Sequence, residues 1–173
     1  MGGKNNNLII SIDGPAGSGK ERIAKYIANK YNLFHLDSGI LYRRLASLLI
    51  KKKINLNNEY FINKYIKSIK ILSARSHPHL RKEVVSQISS EIAKLQFVRN
   101  FINRQQKLVV ESKLKTKKGC VVDGRDIGSK VFKEARIKLY IDVNIRIRAK
   151  RRHKQLIAMG EKSIYAQILK EMK

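Results

Sequence analysis

The chain has 173 residues, and its 38 lysines and arginines outnumber its 13 aspartates and glutamates to give a formal net charge of +25. This length suits one domain with a hydrophobic core, and a hydrophobic content of 43% argues against disorder throughout. The single cysteine, Cys120, excludes a disulfide framework or a cysteine-based zinc site within a monomer. No apolar run approaches the roughly 18 residues of a membrane helix, and the polar residues 1–7 (MGGKNNN) do not form a secretory signal. We therefore expect a cytoplasmic protein without a membrane partner.

The excess positive charge permits two interpretations. A polyanionic partner such as nucleic acid, a nucleotide or an acidic membrane would be attracted by it. Compositional drift toward lysine would produce the same excess without any partner. The aromatic content is 7%, and no aromatic pattern typical of RNA-binding modules is present, so the charge alone does not establish nucleic-acid binding.

Taken in chain order, the first third alternates apolar strands with amphipathic helices. Residues 8–12 (LIISI) are a short, β-branched run that ends in Asp-Gly-Pro, which predicts a buried strand. Residues 20–31 repeat apolar side chains at helical spacing, residues 33–36 predict a second strand, and residues 41–50 predict a helix. Residues 51–58 are polar and predict a loop.

The middle of the chain predicts mostly helix. Residues 60–71 place apolar side chains at every third or fourth position, and Pro78 prevents a continuous helix beyond them. From residue 84 to residue 102, apolar side chains form one stripe over about five turns. The stripe consists of Val84, Val85, Ile88, Ile92, Leu95, Val98 and Ile102.

Strand and helix patterns alternate again toward the C-terminus. Residues 120–122 and 137–143 predict short buried strands, whereas residues 145–157 and 163–172 predict helices. Strands that alternate with helices are typical of a parallel α/β sheet. Only about four strands are visible, so we expect a small sheet.

Residues 14–20 (GPAGSGK) fit the phosphate-loop pattern G-x-x-x-x-G-K. Glycines let backbone N–H groups converge on phosphate oxygens, the following helix adds its N-terminal partial charge, and Lys20 reaches the β- and γ-phosphates. A strand before the loop and a helix after it provide the required context, whereas an ordinary glycine-rich turn is the alternative. The predicted ATP-binding residues are Gly14, Pro15, Ala16, Gly17, Ser18, Gly19, Lys20, Glu21 and Arg22.

The position after Lys20 departs from this pattern. A Ser or Thr normally follows the lysine, and its hydroxyl binds Mg²⁺, but this chain has Glu21 and then Arg22. A carboxylate facing the triphosphate would oppose it by roughly 4 kcal/mol at about 4 Å and an effective dielectric near 20. A carboxylate facing solvent would leave only the missing hydroxyl. The sequence leaves both orientations open.

Three further polar clusters follow the later predicted strands, at the ends where α/β sheets bind ligands. They are residues 37–43 (DSGILYR), residues 122–128 (VDGRDIG) and residues 148–155 (RAKRRHKQ). Each has a structural alternative: a solvated helix arginine for the first, a turn for the second, and a basic helix face that contacts nucleic acid for the third. Their order after a phosphate loop favours a ligand site.

In this combination the chain resembles the bacterial cytidylate kinases, which are P-loop nucleoside monophosphate kinases. The shared segments are GPAGSGK, LDSGILYR, LRKEVVSQISSEIA, VRNFINRQQ, DGRDIGSKVF, ARIKLYID and RAKRRHKQL, from about residue 8 to the C-terminus. The resemblance implies an α/β fold, with a parallel sheet flanked by helices, in one kinase-like domain over residues 1–173. It also implies a mostly helical monophosphate-binding insertion over residues 38–105 and a lid over residues 146–162.

The resemblance further implies transfer of the γ-phosphoryl group of ATP to CMP or dCMP by a monomer, with Mg²⁺ as cofactor. The implied substrate-binding residues are Ser38, Tyr42, Arg43, Arg81, Arg125 and Asp126. The implied phosphoryl-transfer residues are Lys20, Arg148, Arg151 and Arg152, and Asp123 would contact Mg²⁺ through water. Because this transfer needs no covalent nucleophile, we expect Cys120 to pack in the core.

Two other departures from the family pattern accompany Glu21. The insertion is short between residues 70 and 81, and the family pattern continues beyond the final LKEMK. We therefore expect a reduced insertion and a truncated C-terminal part. Two alternatives to an active kinase stay open, namely a catalytically impaired remnant of a cytidylate kinase and a basic nucleic-acid-binding protein.

Overall fold

A computed structural model describes residues 7–172, so most of the polar N-terminal stretch lies outside the described residues. The strands are β1 (Leu8–Asp13), β2 (Phe34–Asp37), β3 (Gly119–Gly124) and β4 (Ile137–Tyr140). The helices are α1 (Lys20–Lys30), α2 (Ser38–Lys51), α3 (Glu59–Lys67), α4 (Glu83–Ile92), α5 (Gln96–Leu114), α6 (Ile145–Ala158) and α7 (Tyr165–Glu171). None of these helices is both long and apolar enough to cross a membrane.

The four strands form one sheet in the order β2-β3-β1-β4. β1 runs parallel to β3, with Leu8 opposite Gly119 and Asp13 opposite Gly124. It also runs parallel to β4, with Asp13 opposite Tyr140. All six residues of β3 are buried, as expected for an interior strand of a parallel sheet that helices cover. The predicted α/β fold with a parallel sheet is confirmed.

The chain divides into two compact units. Among the described residues, unit 1 comprises residues 7–35 and 117–172, and unit 2 comprises residues 36–116. Unit 1 contains β1, β3, β4, α1, α6 and α7, whereas unit 2 contains α2 to α5; the boundary falls within β2. The insertion predicted over residues 38–105 and the lid predicted over residues 146–162 stay predictions.

The core of unit 1 joins the sheet to α1. Ile10 and Ile12 of β1 are buried against Ala24 and Ala28 of α1 and Val121 of β3. Residues four apart share one helix face. The two alanines have small side chains on that face, which lets α1 lie close to the sheet. This packing fixes the start of α1 next to the carboxyl end of β1.

The core of unit 2 consists of helices alone. Leu41, Leu45 and Leu49 form a buried stripe along α2 and belong to one cluster with Ile62 of α3 and Ile102 of α5. Their spacing of four residues keeps them on one side of α2. Unit 2 therefore has an apolar core of its own.

Two sequence-based expectations about secondary structure are wrong. The stripe from residue 84 to residue 102 is not continuous, because α4 ends at Ile92 and α5 begins at Gln96. The apolar spacing continues across the break, so periodicity did not reveal it. The strand predicted over residues 137–143 ends at Tyr140, and its side chains are exposed rather than buried because β4 is an edge strand.

Candidate active site

The predicted phosphate loop connects β1 to α1, as its chemistry requires. Gly17 and Gly19 have φ angles of 75° and 93°, in the left-handed region that favours glycine. A Cβ atom on Gly17 would lie 3.0 Å from the carbonyl oxygen of Arg148. Gly19 is the residue that caps α1. The glycines therefore permit both the turn and the close approach of α6, and the N-terminus of α1 opens at the loop.

Two side chains of the loop, those of Lys20 and Ser18, have polar groups that can bind a ligand. The ammonium of Lys20 donates to the carbonyl oxygen of Pro15 at 3.1 Å, so the lysine folds back over the loop. The hydroxyl of Ser18 is buried and has no hydrogen-bond partner among the described residues. A buried polar group without a partner calls for an explanation such as a ligand or water. The loop thus holds one cation and one unsatisfied hydroxyl.

The side chain of Glu21 lies along α1 and pairs with Lys25. Its Oε1 is 2.7 Å from the Nζ of Lys25, and this (i, i+4) pair has a glutamate N-terminal to a lysine, the favourable order on a helix. The glutamate side chain is 32% exposed. A negative charge in the first turn also complements the helix dipole. The position that departs from the phosphate-loop pattern therefore carries a charge that the helix itself compensates.

Two predicted lid arginines contact the phosphate loop directly. Arg148 donates from Nη1 to the carbonyl oxygen of Ala16 at 3.3 Å and from Nε to that of Val143 at 3.0 Å. Arg151 donates from Nη1 to the carbonyl oxygens of Gly17 and Ser18 at 3.3 and 3.0 Å. These bonds attach α6 to the loop and bring two guanidinium groups to it.

The third predicted lid arginine has a partner on its own helix. Arg152 donates from Nη1 to Oε1 of Gln155 at 3.2 Å. Arg148 and Arg151 bond to loop carbonyls.

Asp13 is a site residue that the sequence analysis missed. Its two carboxylate oxygens accept from the backbone N–H groups of Ile127 and Gly128 at 2.7 and 2.9 Å. It thereby holds the end of the VDGRDIG segment against the strand that leads into the phosphate loop. An aspartate at the last position of that strand was the only sequence signal.

The segment that Asp13 anchors carries the predicted substrate residues Arg125 and Asp126. Both are exposed. Asp126 has a φ of 59° and begins one turn of π helix. Its carboxylate pairs with the Nζ of Lys130 at 2.8 Å, and both side chains are more than half exposed. The two residues are accessible from solvent on an anchored turn.

The predicted metal-contacting residue, Asp123, lies at the carboxyl end of β3 and is 2% exposed. Its Oδ1 is 2.6 Å from Nε2 of His35 on the neighbouring strand β2. No sequence pattern pointed to His35, since 88 positions separate it from Asp123. The geometry adds a histidine next to the predicted acidic residue.

Unit 2 holds the predicted residues Ser38, Tyr42 and Arg43. Asp37 accepts from the N–H of Gly39 at 2.9 Å, which caps α2, and from Nη2 of Arg43 at 2.8 Å. Asp37 therefore both begins the helix and orients the arginine. Ser38 is buried in the first turn of α2, and Tyr42 is half-buried against the core of unit 2. The Nε atom of Arg43 is buried without a partner among the described residues.

Arg81 and Arg99 are the other arginines of interest in unit 2. Arg81 ends a 3₁₀ turn (Pro78–Arg81) and is half-buried. Arg99 lies in α5, and its Nε is buried without a partner among the described residues, as in Arg43. Arg99 was not among the predicted site residues, although it belongs to the matching segment VRNFINRQQ. Its buried guanidinium N–H without an acceptor among the described residues makes Arg99 a candidate site residue.

Comparisons with known proteins agree on one family. The family model described as Cytidylate kinase matches residues 10–173. The chain is 38% identical to a cytidylate kinase from Rickettsia akari (strain Hartford), over 96% of this chain and 73% of that protein. It is 33% identical to a cytidylate kinase from Fusobacterium nucleatum, over 96% of this chain and 78% of that one.

A solved structure shares the fold. The crystal structure of TT1252 from Thermus thermophilus matches with a TM-score of 0.53 at 14% identity, covering 94% of this chain and 77% of that chain. At this identity the match concerns the fold alone. The family match and the two curated relatives span nearly the whole chain. The chain therefore belongs to the cytidylate kinase family.

Proposed function

We propose that this protein transfers the γ-phosphoryl group of ATP to CMP, giving CDP and ADP, and that dCMP is a second acceptor. The observation that carries the proposal is the glycine-shaped phosphate loop with Lys20 folded over it, in a chain of the cytidylate kinase family. Such a loop presents backbone N–H groups and one ammonium to phosphate oxygens.

On the donor side, residues 14–22 bind ATP. The loop amides and the N-terminus of α1 hold the β-phosphate, and Lys20 neutralises charge on the β- and γ-phosphates. Arg148, Arg151 and Arg152 belong to a lid over residues 146–162. The bonds from Arg148 and Arg151 to loop carbonyls support this role, because guanidinium groups beside the transferring phosphoryl stabilise its developing charge.

Mg²⁺ is the cofactor in this proposal. Carboxylate and hydroxyl oxygens are the donors that this ion prefers, and it keeps most of its ligands from water and nucleotide phosphates. The buried carboxylate of Asp123 and the unsatisfied hydroxyl of Ser18 fit that requirement, and residues 7–172 contain no cluster of three acidic, histidine or cysteine side chains that could hold a metal alone. Asp123 would hold the ion through water. Bound Mg²⁺ neutralises charge on the transferring phosphates.

On the acceptor side, residues 38–105 form the monophosphate-binding segment. Ser38, Tyr42, Arg43 and Arg81 bind the nucleoside monophosphate. The unpartnered Nε atoms of Arg43 and of Arg99 support a phosphate ligand, because guanidinium groups form strong, charge-assisted hydrogen bonds to phosphate oxygens.

Two other predicted substrate residues belong to unit 1. Arg125 and Asp126 are exposed on the turn that Asp13 anchors. An arginine beside an aspartate offers both donors and acceptors, which is what the edge of a cytosine base requires. We therefore assign base recognition to this pair.

The proposal favours an active enzyme over an impaired remnant. The strongest reason to expect impairment was a carboxylate at position 21 facing the triphosphate. Glu21 instead lies along α1 and is paired with Lys25 at 2.7 Å. The effect that remains at position 21 is the absence of a hydroxyl, which removes one metal ligand and leaves the loop amides and Lys20 intact.

A coupled ADP-release assay tests the proposal. Purified protein receives ATP and Mg²⁺ with CMP, dCMP, UMP or AMP, and Lys20→Ala is the control for contaminating kinases. We expect turnover that is fastest with CMP and absent in the control. ATP binding without CMP-dependent turnover would overturn the proposal. Salt-sensitive RNA binding in the same preparation would then favour the basic nucleic-acid-binding alternative.

A further inference from the structure

The pair formed by His35 and Asp123 is a polar contact between β2 and β3, near the carboxyl end of β3. Nε2 of His35 and Oδ1 of Asp123 are 2.6 Å apart, and the side chains are 16% and 2% exposed. An ionised carboxylate has no proton to donate and can only accept a hydrogen bond, so the proton of this contact is on Nε2 of His35. The imidazole therefore donates a short, well-shielded hydrogen bond to the carboxylate.

The register of the sheet places Asp123 close to the loop. Ile12 is opposite Asp123 and Asp13 is opposite Gly124, and the loop begins one residue later at Gly14. Successive side chains of a strand point to opposite faces, so Asp13 and Asp123 serve different faces of the sheet. Asp13 holds the amides of residues 127 and 128, whereas Asp123 is held by His35.

We propose that His35 is a positioning residue for the Mg²⁺-nucleotide complex. Its Nε2–H fixes the rotamer of Asp123 so that the carboxylate orients the water shell of the ion that accompanies ATP. An ionised carboxylate has about four lone-pair sites, so it can accept from His35 and from metal-bound water together. Partners that hold a metal-contacting carboxylate commonly change metal affinity by about 10–100-fold when they are removed. This inference rests on the proposed function.

The alternative is that His35 only satisfies a buried carboxylate. A buried ionised group without a partner destabilises a protein strongly, so both roles predict a stability loss when His35 is removed. Only the positioning role predicts a change in Mg²⁺ dependence that follows the N–H donor. Two variants separate the roles: His35→Met removes the donor at similar size, and His35→Gln keeps an N–H donor near the position of Nε2.

The experiment measures Mn²⁺ binding to the protein–ATP complex by electron paramagnetic resonance, with Mn²⁺ as the probe for Mg²⁺, and the Mg²⁺ concentration for half-maximal CMP phosphorylation. We expect His35→Met to weaken Mn²⁺ retention and to raise that Mg²⁺ concentration about tenfold, with KM for CMP unchanged. His35→Gln should restore most of both. In an Asp123→Asn background, His35→Met should have no further effect, because the two residues act as one unit.

Two results would overturn the inference. The first is a His35→Met protein with a lowered unfolding temperature but wild-type Mn²⁺ retention and Mg²⁺ dependence. The second is a His35→Gln protein as defective as His35→Met, which would exclude the donor as the cause. Failure of the proposed function looks different: the wild-type protein would retain Mn²⁺ with ATP and yet not phosphorylate CMP.

Discussion

The arginines beside the phosphate loop and those of unit 2 are satisfied in different ways. Arg148 and Arg151 donate to carbonyl oxygens of the loop and of Val143. Arg43 and Arg99 each retain a buried Nε that has no partner among the described residues. A buried, unsatisfied N–H costs about 1–3 kcal/mol. Arg148 and Arg151 therefore bond to carbonyl oxygens of the protein, whereas unit 2 contains guanidinium N–H groups that have no partner among the described residues.

The difference indicates that the two halves of the proposed reaction are prepared differently. A loop whose shape is fixed before ATP arrives loses little conformational freedom on binding. Unsatisfied donors in unit 2 are instead relieved by the oxygens of a phosphate monoester, so they contribute to affinity for the acceptor. Variants of the two regions should therefore fail in different kinetic constants.

Loss of the loop ammonium should have the largest effect. Lys20→Ala removes the cation that neutralises the transferring phosphates, and we expect kcat to fall about 100-fold or more. The unfolding temperature should change little, because Lys20 is not part of the core. The matched control is Lys30→Ala, at the other end of α1, which should keep wild-type kcat. Activity of Lys20→Ala within about twofold of wild type would contradict a catalytic loop.

Loss of a guanidinium whose Nε has no partner among the described residues of unit 2 should have the second-largest effect. Arg99→Gln removes a charged donor worth about 1.5–3 kcal/mol, so we expect kcat/KM for CMP to fall about 10–100-fold with KM for ATP unchanged. Steady-state kinetics with each substrate varied in turn measures this. The control is Arg104→Gln, an exposed arginine on the same helix. Equal losses in the two variants would mean that the buried Nε has no role in binding.

Breaking the ion pair between Glu21 and Lys25 should have a smaller effect, on KM for ATP. Lys25→Met removes the ammonium that lies 2.7 Å from the Glu21 carboxylate and so weakens the compensation of that negative charge near bound phosphates. Exposed ion pairs contribute about 0.2–1 kcal/mol, so KM for ATP should rise by up to about fivefold. Adding Glu21→Gln should return it to the wild-type value. If the double variant stays as weak as Lys25→Met, charge is not the cause.

The smallest expected effect concerns the labelling of Cys120. It tests whether the sheet of unit 1 is packed in the absence of a ligand. Burial raises the pKa of its thiol from 9.0 to about 12, so the thiolate is scarce at pH 8 and an aromatic disulfide reagent should label it only after denaturation. Rapid labelling of the native protein without nucleotide would contradict a preformed unit 1.

The same thiol has a defined pH dependence. Above pH 9 the unfolded chain loses the proton while the folded chain keeps it, so this contribution to the free energy of unfolding is complete below pH 9 and is lost as the pH rises to about 12. Denaturant unfolding across that range should show a smaller decline for Cys120→Val than for wild type. Equal declines would mean that the thiol is not shielded.

The sequence predicted the parts of the molecule that depend on neighbours along the chain. The alternation of strands and helices and the loop between β1 and α1 involve residues within a few positions of each other. Local spacing missed the break between α4 and α5, because a turn of three residues preserves the apolar period. It also missed the exposure of β4, because strand order is not a local property.

The sequence by itself determined the α/β class, the phosphate loop and the family segments, because each is a pattern of consecutive residues whose backbone preferences act locally. Only the tertiary structure decided that His35 holds Asp123 across 88 positions and that Asp13 holds the amide of Ile127 across 114. Those contacts depend on which strands and turns become neighbours in the fold. Packing also decided which arginine N–H groups are buried without an acceptor, since burial is a property of the assembled core and not of any one segment.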